Sequence, residues 1–440
     1  MIEISHEINE DENENEISDE DEDEDEFIVM NEDEYEELES TIHELIYDML
    51  IENALLYSNP DFHDNLLNEI HDWFCEDLLD ANVITQNQSI YDCISQIVET
   101  FFELYYPPRS NTCSDIISYS NTEQIAQTIE TLKTLPQPTQ KTTEWYEYRH
   151  NLLTASSIWK ALSTESQRNS LIYEKCKPLS LSAEKGNWHG GGSLQWGNLY
   201  EHVSIMVYEK KYNTHVADFG CIQHTKYNCI GASPDGINID PKSDCYGRMI
   251  EVKNIVNRDI TDKPKEDYWI QMQVQMETCD LNECDFVETR FKEYNSPEAY
   301  AEDTDQEWKG IILCFLERNV INSKPTYKYM PFDLDITHET WIANTKTELK
   351  ETMILYTTTY WYMDEFSCIL VKRNPIWFES AVPIILNTWE TIVKERETGY
   401  EHRAAKKRTN INCQMNDNNA YIISNLKLNT NTCLVKLDHE

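Results

Sequence analysis

Between Thr41 and Tyr106 apolar residues recur at helical spacing in three blocks: Ile42, Leu45, Ile46, Met49 and Leu50; Leu66, Leu67, Ile70, Trp73 and Phe74; Ile90, Ile94, Ile97, Val98 and Phe101. A period near 3.6 puts each block on one face, so the region 41–107 is expected to be a small bundle of amphipathic helices, broken near Asn59-Pro60 and at 86–89. Pro107-Pro108 ends the third helix. The stretch 108–143, with Pro136 and Pro138, reads as a linker carrying one short helix around Ile125 to Leu132. From Glu144 to about residue 395 the pattern alternates. Helical spacing over WYEYRHNLLTASSIWKAL gives way to a Gly-rich loop at Gly186 to Gly192 and then to a helix at about Leu199 to Tyr212. Short β-like runs follow at Phe219 to His224, Met249 to Lys253, Phe286 to Phe291 and Gly310 to Leu316, with a helix at about Tyr268 to Thr278 between the second and third. Strands alternating with helices predict a mixed α/β (α+β) body. Beyond Lys407 the segment 396–440 turns Asn-rich, with weak β signals at Tyr421 to Ser424 and Thr432 to Leu437. No internal repeat is visible.

Charge changes this picture. The 440 residues carry 80 acidic and 36 basic side chains, a formal net charge of -44, which on its face argues against binding a polyanion. The distribution removes that objection. The first Lys or Arg is Arg109, and 34 Asp and Glu precede it, which leaves the rest of the chain at about -10. Residues 1–40, including the run from Asp21 to Glu26, have too little apolar surface to offset the entropy of ordering and are expected to be a disordered acidic tail. The thirteen cysteines contain no C-x-x-C pair; the closest spacings, Cys279 with Cys284 and Cys221 with Cys229, fit zinc or iron-sulfur sites poorly. Free thiols in a reducing compartment are expected. No apolar run reaches the length of a membrane span and the first residues lack a signal-peptide pattern, so the expectation is a soluble, intracellular protein that is not secreted.

Candidate chemistry sits in the body. In the strand Ile250 to Lys253, alternate residues share a face, so Glu251 and Lys253 point one way while Ile250 and Val252 enter the core. Asp235, in SPDG, lies sixteen residues earlier, and the turn-rich DPKSDCYG between them allows a hairpin return. Two carboxylates and a lysine on one patch are the parts of a divalent-metal phosphodiester hydrolase. Hard oxygens hold the ion, the ion lowers the pKa of a bound water, and the lysine orients that water or stabilises developing charge. Alone, such a Glu-Lys pair is ordinarily a solvated surface pair.

The neighbouring segments sharpen the reading. P-D at Pro234 and Asp235 with E-x-K at Glu251 to Lys253 resembles the PD-(D/E)xK nucleases. LQWGNLYEH upstream resembles that family's helix with a metal-shell Glu, here Glu201. YWIQMQVQM resembles the Y-x-x-Q-x-Q helix of the phage lambda exonuclease and YqaJ-type viral recombinase branch, with Tyr268 and Gln271 on its functional positions. RHNLLTAS matches the branch's R…T-A-S element. The resemblance spans Trp145 to Met276, five elements in the family's order, although the hairpin between Asp235 and Glu251 looks longer than in the phage enzyme. It implies a restriction-endonuclease-like mixed sheet flanked by helices. It also implies that Glu201, Asp235 and Glu251, with the Val252 carbonyl, hold one or two Mg²⁺ or Mn²⁺ ions. Lys253 would position the attacking water and Gln271 would support the water or a phosphate oxygen. Arg149, Ser156 and Ser233 would take a 5′-phosphate, with Tyr268 at the DNA.

The function so implied is 5′ to 3′ exonuclease action on double-stranded DNA ends in viral recombination or repair. Two alternatives stay open: a RecB-like, CRISPR-associated type of endonuclease or single-strand nuclease, whose usual cysteine cluster is missing here, and a non-catalytic DNA- or protein-binding scaffold built on a nuclease-derived domain. DNA is the expected partner, with a homo-oligomer and recombination or helicase proteins docking on 41–107 as further possibilities, and no membrane. Ordinary roles compete at single positions: Ser156 as a helix N-cap, Gln271 as a surface amide, Tyr268 as core. His189, His202, His215 and His224 lack H-x-x-x-H spacing, and Gly190 to Gly192 lack the G-K-[ST] of a P-loop. HRAAKKR at His402 to Arg408 reads as a solvated basic helix end, with nuclear targeting or DNA contact as its alternative.

Overall fold

The computed structural model describes residues 26–27, 32–80, 88–111, 121–179, 192–320 and 323–405. Contacts divide the chain at Arg403, and of the second unit, Ala404–Glu440, only residues 404–405 are described. The weak β signals beyond residue 420, the glycine loop 186–191 and most of the acidic tail therefore lie outside the described residues.

A mixed seven-stranded sheet forms the centre of the first unit. Its strands are β1 (Val216–Ala217), β2 (Gly236–Asn238), β3 (Met249–Asn254), β4 (Glu283–Glu293), β5 (Lys309–Glu317), β6 (Thr326–Tyr329) and β7 (Met353–Lys372), in the spatial order β6-β5-β7-β4-β3-β2-β1. β2 and β3 form the expected antiparallel hairpin, with Gly236 opposite Ile250. β3 and β4 run parallel, with Glu251 opposite Phe286. A parallel pair needs a crossover, and the helix Glu266–Cys279 supplies it. A separate three-stranded sheet joins Leu153–Thr154, Ile222–Gln223 and Ile230–Ala232, so the run expected as a strand from Phe219 contributes only two strand residues.

Twelve helices are described: α1 (Glu32–Glu52), α2 (Phe62–Asp80), α3 (Tyr91–Leu104), α4 (Thr122–Thr134), α5 (Thr143–His150), α6 (Ala155–Leu162), α7 (Glu165–Cys176), α8 (Ser193–Tyr212), α9 (Glu266–Cys279), α10 (Pro297–Glu302), α11 (His338–Leu349) and α12 (Pro375–Thr398). They cover both faces of β3. On one side Ile250 and Val252 pack with Tyr208 of α8, Val216 and Val287. On the other, Met249 joins Trp269, Met272 and Met276 of α9, Ile158 of α6 and Trp377 of α12. That second cluster extends without interruption to Ile42, Leu66 and Ile97, so α1–α3 bury their apolar faces against the same core. The first helix begins at Glu32, earlier than the apolar pattern indicates, because Tyr35 and Leu38 also pack against this cluster.

Arg109 fastens the N-terminal helices to α9. Its side chain, 2% exposed, donates to Ser58 O at 2.9 Å and to Pro264 O at 2.7 Å, and its carbonyl accepts from Trp269 Nε1 at 2.9 Å. Its own N–H donates to His63 Nε2 at 3.0 Å. Burial, followed by the nearby Arg109 charge, lowers His63 to about 4, so the imidazole stays a neutral acceptor.

A second buried polar group ties α8 to the sheet. Arg248 reaches Asp285 of β4 at 3.3 Å and Glu283 at 3.2 Å, while Tyr208 donates to Asp285 Oδ2 at 2.6 Å. Burial raises Asp285 to about 6 even against the pull of Arg248 and Tyr208. Breaking one partner of such a pair strands a buried charge, whereas replacing both by apolar groups of similar volume is often neutral. Arg248→Leu should therefore destabilise the protein by about 3–5 kcal/mol in urea denaturation, with the Arg248→Leu, Asp285→Leu double variant recovering most of the loss. A single variant as stable as wild type would contradict this.

Candidate active site

The site forms where β2, β3, α5, α8 and α9 converge. Asp235 stands at the entry to β2, half-buried, and its Oδ2 accepts from Val252 N at 2.8 Å. The hairpin register alone brings it beside β3. Glu251 is only 1% exposed, and all of its described partners are donors: Lys253 Nζ in a very short ion pair, Gln271 Nε2 at 2.7 Å and Gln275 Nε2 at 2.7 Å. Gln271 and Gln275 are one helical turn apart on α9 and grip the two carboxylate oxygens, one each. Gln273 points elsewhere, donating to Lys372 O at 2.9 Å and accepting from Asn374 N at 2.7 Å. The Lys253 ammonium also lies 4.9 Å from the Tyr268 ring, which in turn packs tilted against Phe286.

Glu201 is presented from α8, whose position is fixed by a buried polar knot. Ser204 Oγ donates to Asn254 Oδ1 at 2.7 Å, Thr289 Oγ1 reaches the same oxygen at 2.8 Å, and Asn254 Nδ2 donates to Gly197 O at 3.2 Å. These bonds lock α8 across β3 and β4 one turn from Glu201. Its carboxylate pairs with Lys141 at 3.6 Å.

The three carboxylates share one electrostatic field. Burial, then the charges of Glu251 and Glu201, push Asp235 well above the usual carboxylate range, against the pull of Lys253 and the Val252 N–H. Burial by itself would lower the Lys253 ammonium; the carboxylates of Glu251 and Asp235 outweigh it and hold the lysine charged. Among the described residues no group of three His, Cys, Asp or Glu side chains is gathered tightly enough to hold an ion as it stands. The three carboxylates offer hard oxygen donors only, the donor type that suits a hard divalent cation. The nearby histidines do not join it: His202 lies against Tyr329, His215 pairs with Glu209, and His224 stacks on Phe378. Every described cysteine is a free thiol.

A second cluster adjoins the first. Arg149, near the C-terminus of α5, donates to Ser233 Oγ and Ser156 Oγ, both at 3.1 Å, and its guanidinium lies 4.3 Å from the Trp145 ring. Lys175, 6% exposed, donates to the Arg149 carbonyl at 2.8 Å and is pushed down to about 8 by burial. Burial likewise lowers Arg149 from its ordinary value. Thus Arg149, Ser156 and Ser233, separated by up to 84 positions in sequence, meet directly. Only Pro234 separates Ser233 from Asp235, which joins this cluster to the carboxylates.

Three of these residues escape a reading of the sequence. Gln275 carries a signal, its spacing of four from Gln271, that the Y-x-x-Q-x-Q pattern hides. Lys175 and Lys141 carry none, because only the tertiary fold delivers them.

The segment that holds these residues is similar to known proteins. Residues 144–282 match the family model described as the YqaJ-like viral recombinase domain. An uncharacterized protein of Acanthamoeba polyphaga mimivirus is 27% identical over 309 residues, 61% of this chain and 55% of that protein, so the chain spans about half the length of this curated relative. Among solved structures, an alkaline exonuclease of Laribacter hongkongensis is 18% identical with a TM-score of 0.33, covering 59% of this chain and 95% of that one. A phage related exonuclease from Haemophilus somnus 129PT is 14% identical with a TM-score of 0.30, covering 57% and 96%. The segment that carries Arg149, Ser156, Glu201, Ser233, Asp235, Glu251, Lys253 and the α9 glutamines is thus the part of the chain that is similar to the YqaJ-like viral recombinase domain.

Proposed function

We propose that the chain is a divalent-metal-dependent DNA nuclease, acting as a 5′ to 3′ exonuclease on double-stranded ends in viral recombination or repair. The observation that carries this reading is the junction at Pro234. The cationic cluster of Arg149, Ser156 and Ser233 lies at most about 7 Å of backbone from the carboxylate Asp235. An anion held by that cluster is a short step from the carboxylates, the scale on which one nucleotide separates a terminal phosphate from the next phosphodiester.

In this reading Glu201, Asp235 and Glu251, with the Val252 carbonyl, hold one or two Mg²⁺ or Mn²⁺ ions. When bound, the metal supplies Lewis acidity and lowers the pKa of the attacking water. The chain's own groups do the rest. Lys253, kept charged by its carboxylate neighbours, orients the water and stabilises charge developing on the phosphate. Gln271 and Gln275 fix the carboxylate plane of Glu251, and Gln271 supports the water or a phosphate oxygen. Tyr268 lines the path of the strand beside Lys253. Arg149, supported from behind by Lys175, offers two N–H groups that Ser233 and Ser156 now accept and that a terminal phosphate would take over. The body's near-neutral charge balance is compatible with a DNA substrate; the excess of acid lies ahead of Arg109. No helix among the described residues is long and apolar enough to cross a membrane.

Lys253→Ala should lower the rate of DNA hydrolysis by about 10³-fold or more, the scale of losing one preorganised electrostatic group. Near-wild-type activity in that variant would remove the mechanism. Removing the 5′-phosphate from a linear duplex should slow digestion by wild type, and Arg149→Ala should digest both ends alike; a wild-type enzyme indifferent to the phosphate would favour an endonuclease or single-strand nuclease. Gln275→Leu leaves one oxygen of a buried carboxylate unpaired, which should cost about 1–3 kcal/mol in thermal or urea unfolding and also reduce turnover. Unchanged stability would show that Gln275 does not compensate Glu251.

A further inference from the structure

The segment Leu135 to Thr142, which its prolines mark as a linker, is laid down as a strap across the site. Gln137 grips at both ends of its amide, donating to Leu132 O at 2.8 Å and accepting from Gly220 N at 2.8 Å. Gln140 Nε2 spans Phe219 O at 2.9 Å and Pro234 O at 3.3 Å, so it is anchored to the residue immediately before Asp235. The strap lies so close to the chain beneath it that a Cβ on Gly220 would stand 2.4 Å from Pro138 O. Its last turn forces Lys141 into left-handed backbone, with φ +64°, a conformation uncommon for a lysine. Thr142 then caps α5, the helix that carries Arg149, by accepting from Trp145 N.

What this arrangement delivers is one ammonium group. Lys141 Nζ lies 3.6 Å from Glu201 Oε2, with the lysine 51% and the glutamate 33% exposed. The three carboxylates are thus held in different ways. Glu251 is gripped by three buried or half-buried donors and Asp235 by a strand N–H, contacts built into the sheet and α9. Glu201 is met by a flexible, half-exposed side chain from outside both. An ion pair of this kind is weak and screened by solvent, so it can be exchanged for another cation without unfolding anything.

We propose that Lys141 is a built-in competitor of the divalent ion at Glu201. The ammonium of Lys141 repels a second cation arriving at the Glu201 carboxylate, so metal binding displaces Lys141, and the strap sets the metal concentration at which the site loads. This rests on the reading of Glu201, Asp235 and Glu251 as metal ligands.

The test is Mn²⁺ binding to the full chain, followed by the electron paramagnetic resonance signal of free Mn²⁺ at low ionic strength. The proteins are wild type, Lys141→Asn, Lys141→Arg and Asp235→Ala. Asn tolerates left-handed backbone, so it removes the cation while keeping the strap's turn. Lys141→Asn should bind Mn²⁺ about two- to fivefold more tightly than wild type, the range expected for release of an exposed ion pair. Lys141→Arg should stay close to wild type, and the gap should narrow as salt rises. Equal or weaker binding by Lys141→Asn, with Asp235→Ala still abolishing it, overturns the competitor role and leaves the metal centre standing. Wild type without any Mn²⁺ binding that Asp235→Ala removes would overturn the metal-nuclease reading itself, and Lys141 with it.

Discussion

A carboxylate with 1% of its surface exposed cannot remain in a protein interior without partners, and Glu251 is such a group. Its compensation dictates much of the surrounding structure. Lys253 must lie on the same strand face, which the two-residue period of β3 provides. Gln271 and Gln275 must lie one turn apart on a helix packed over that face, which requires α9 to cross from β3 to β4 directly above the site. The polar centre is therefore held by the same element that closes the parallel pair of strands.

The position of α9 depends in turn on what packs behind it. Trp269, fully buried, lies edge-on to Trp377 of α12 and donates to the carbonyl of Arg109. The first basic residue in the chain is thus consumed as a structural bolt between the N-terminal helices and the helix that orients the glutamines. Ser58 adds a bond to Glu266 in the first turn of α9 at 2.9 Å. The acid-rich helices α1–α3 and the candidate site are consequently parts of one packed unit.

Much of this centre is legible in the sequence because it depends on local periodicity. Alternation in a strand puts Glu251 and Lys253 together, a turn-rich stretch returns Asp235 beside them, and helical spacing places Gln271 within reach. Arg149, Ser156 and Ser233 become legible through the order of motifs. Other features do not yield to pattern. β7, with 20 residues the longest strand, escapes because both of its faces are covered for part of its length, so apolar and polar residues do not alternate. A bulge between Met363 and Glu365 then switches the face on which each later residue lies. Pro136 and Pro138 signal a linker correctly as backbone chemistry, yet hydrogen bonds from Gln137 and Gln140 to distant carbonyls and amides turn that linker into a wall of the site. Such contacts pair residues about 80 to 90 positions apart and leave no local trace.

In the proposed function the Arg149, Ser156 and Ser233 cluster and the carboxylates act together on the end of a DNA strand. The most direct measurement offers the purified chain, with Mg²⁺ or Mn²⁺, four DNAs of one sequence: linear duplex with 5′-phosphates, the same duplex with 5′-hydroxyls, a covalently closed circle, and a single strand. Fastest digestion of the 5′-phosphorylated linear duplex is expected, with release of mononucleotides from its 5′ ends and an intact circle. Cleavage of the closed circle at a comparable rate, or no digestion of any of the four with either ion, would contradict it.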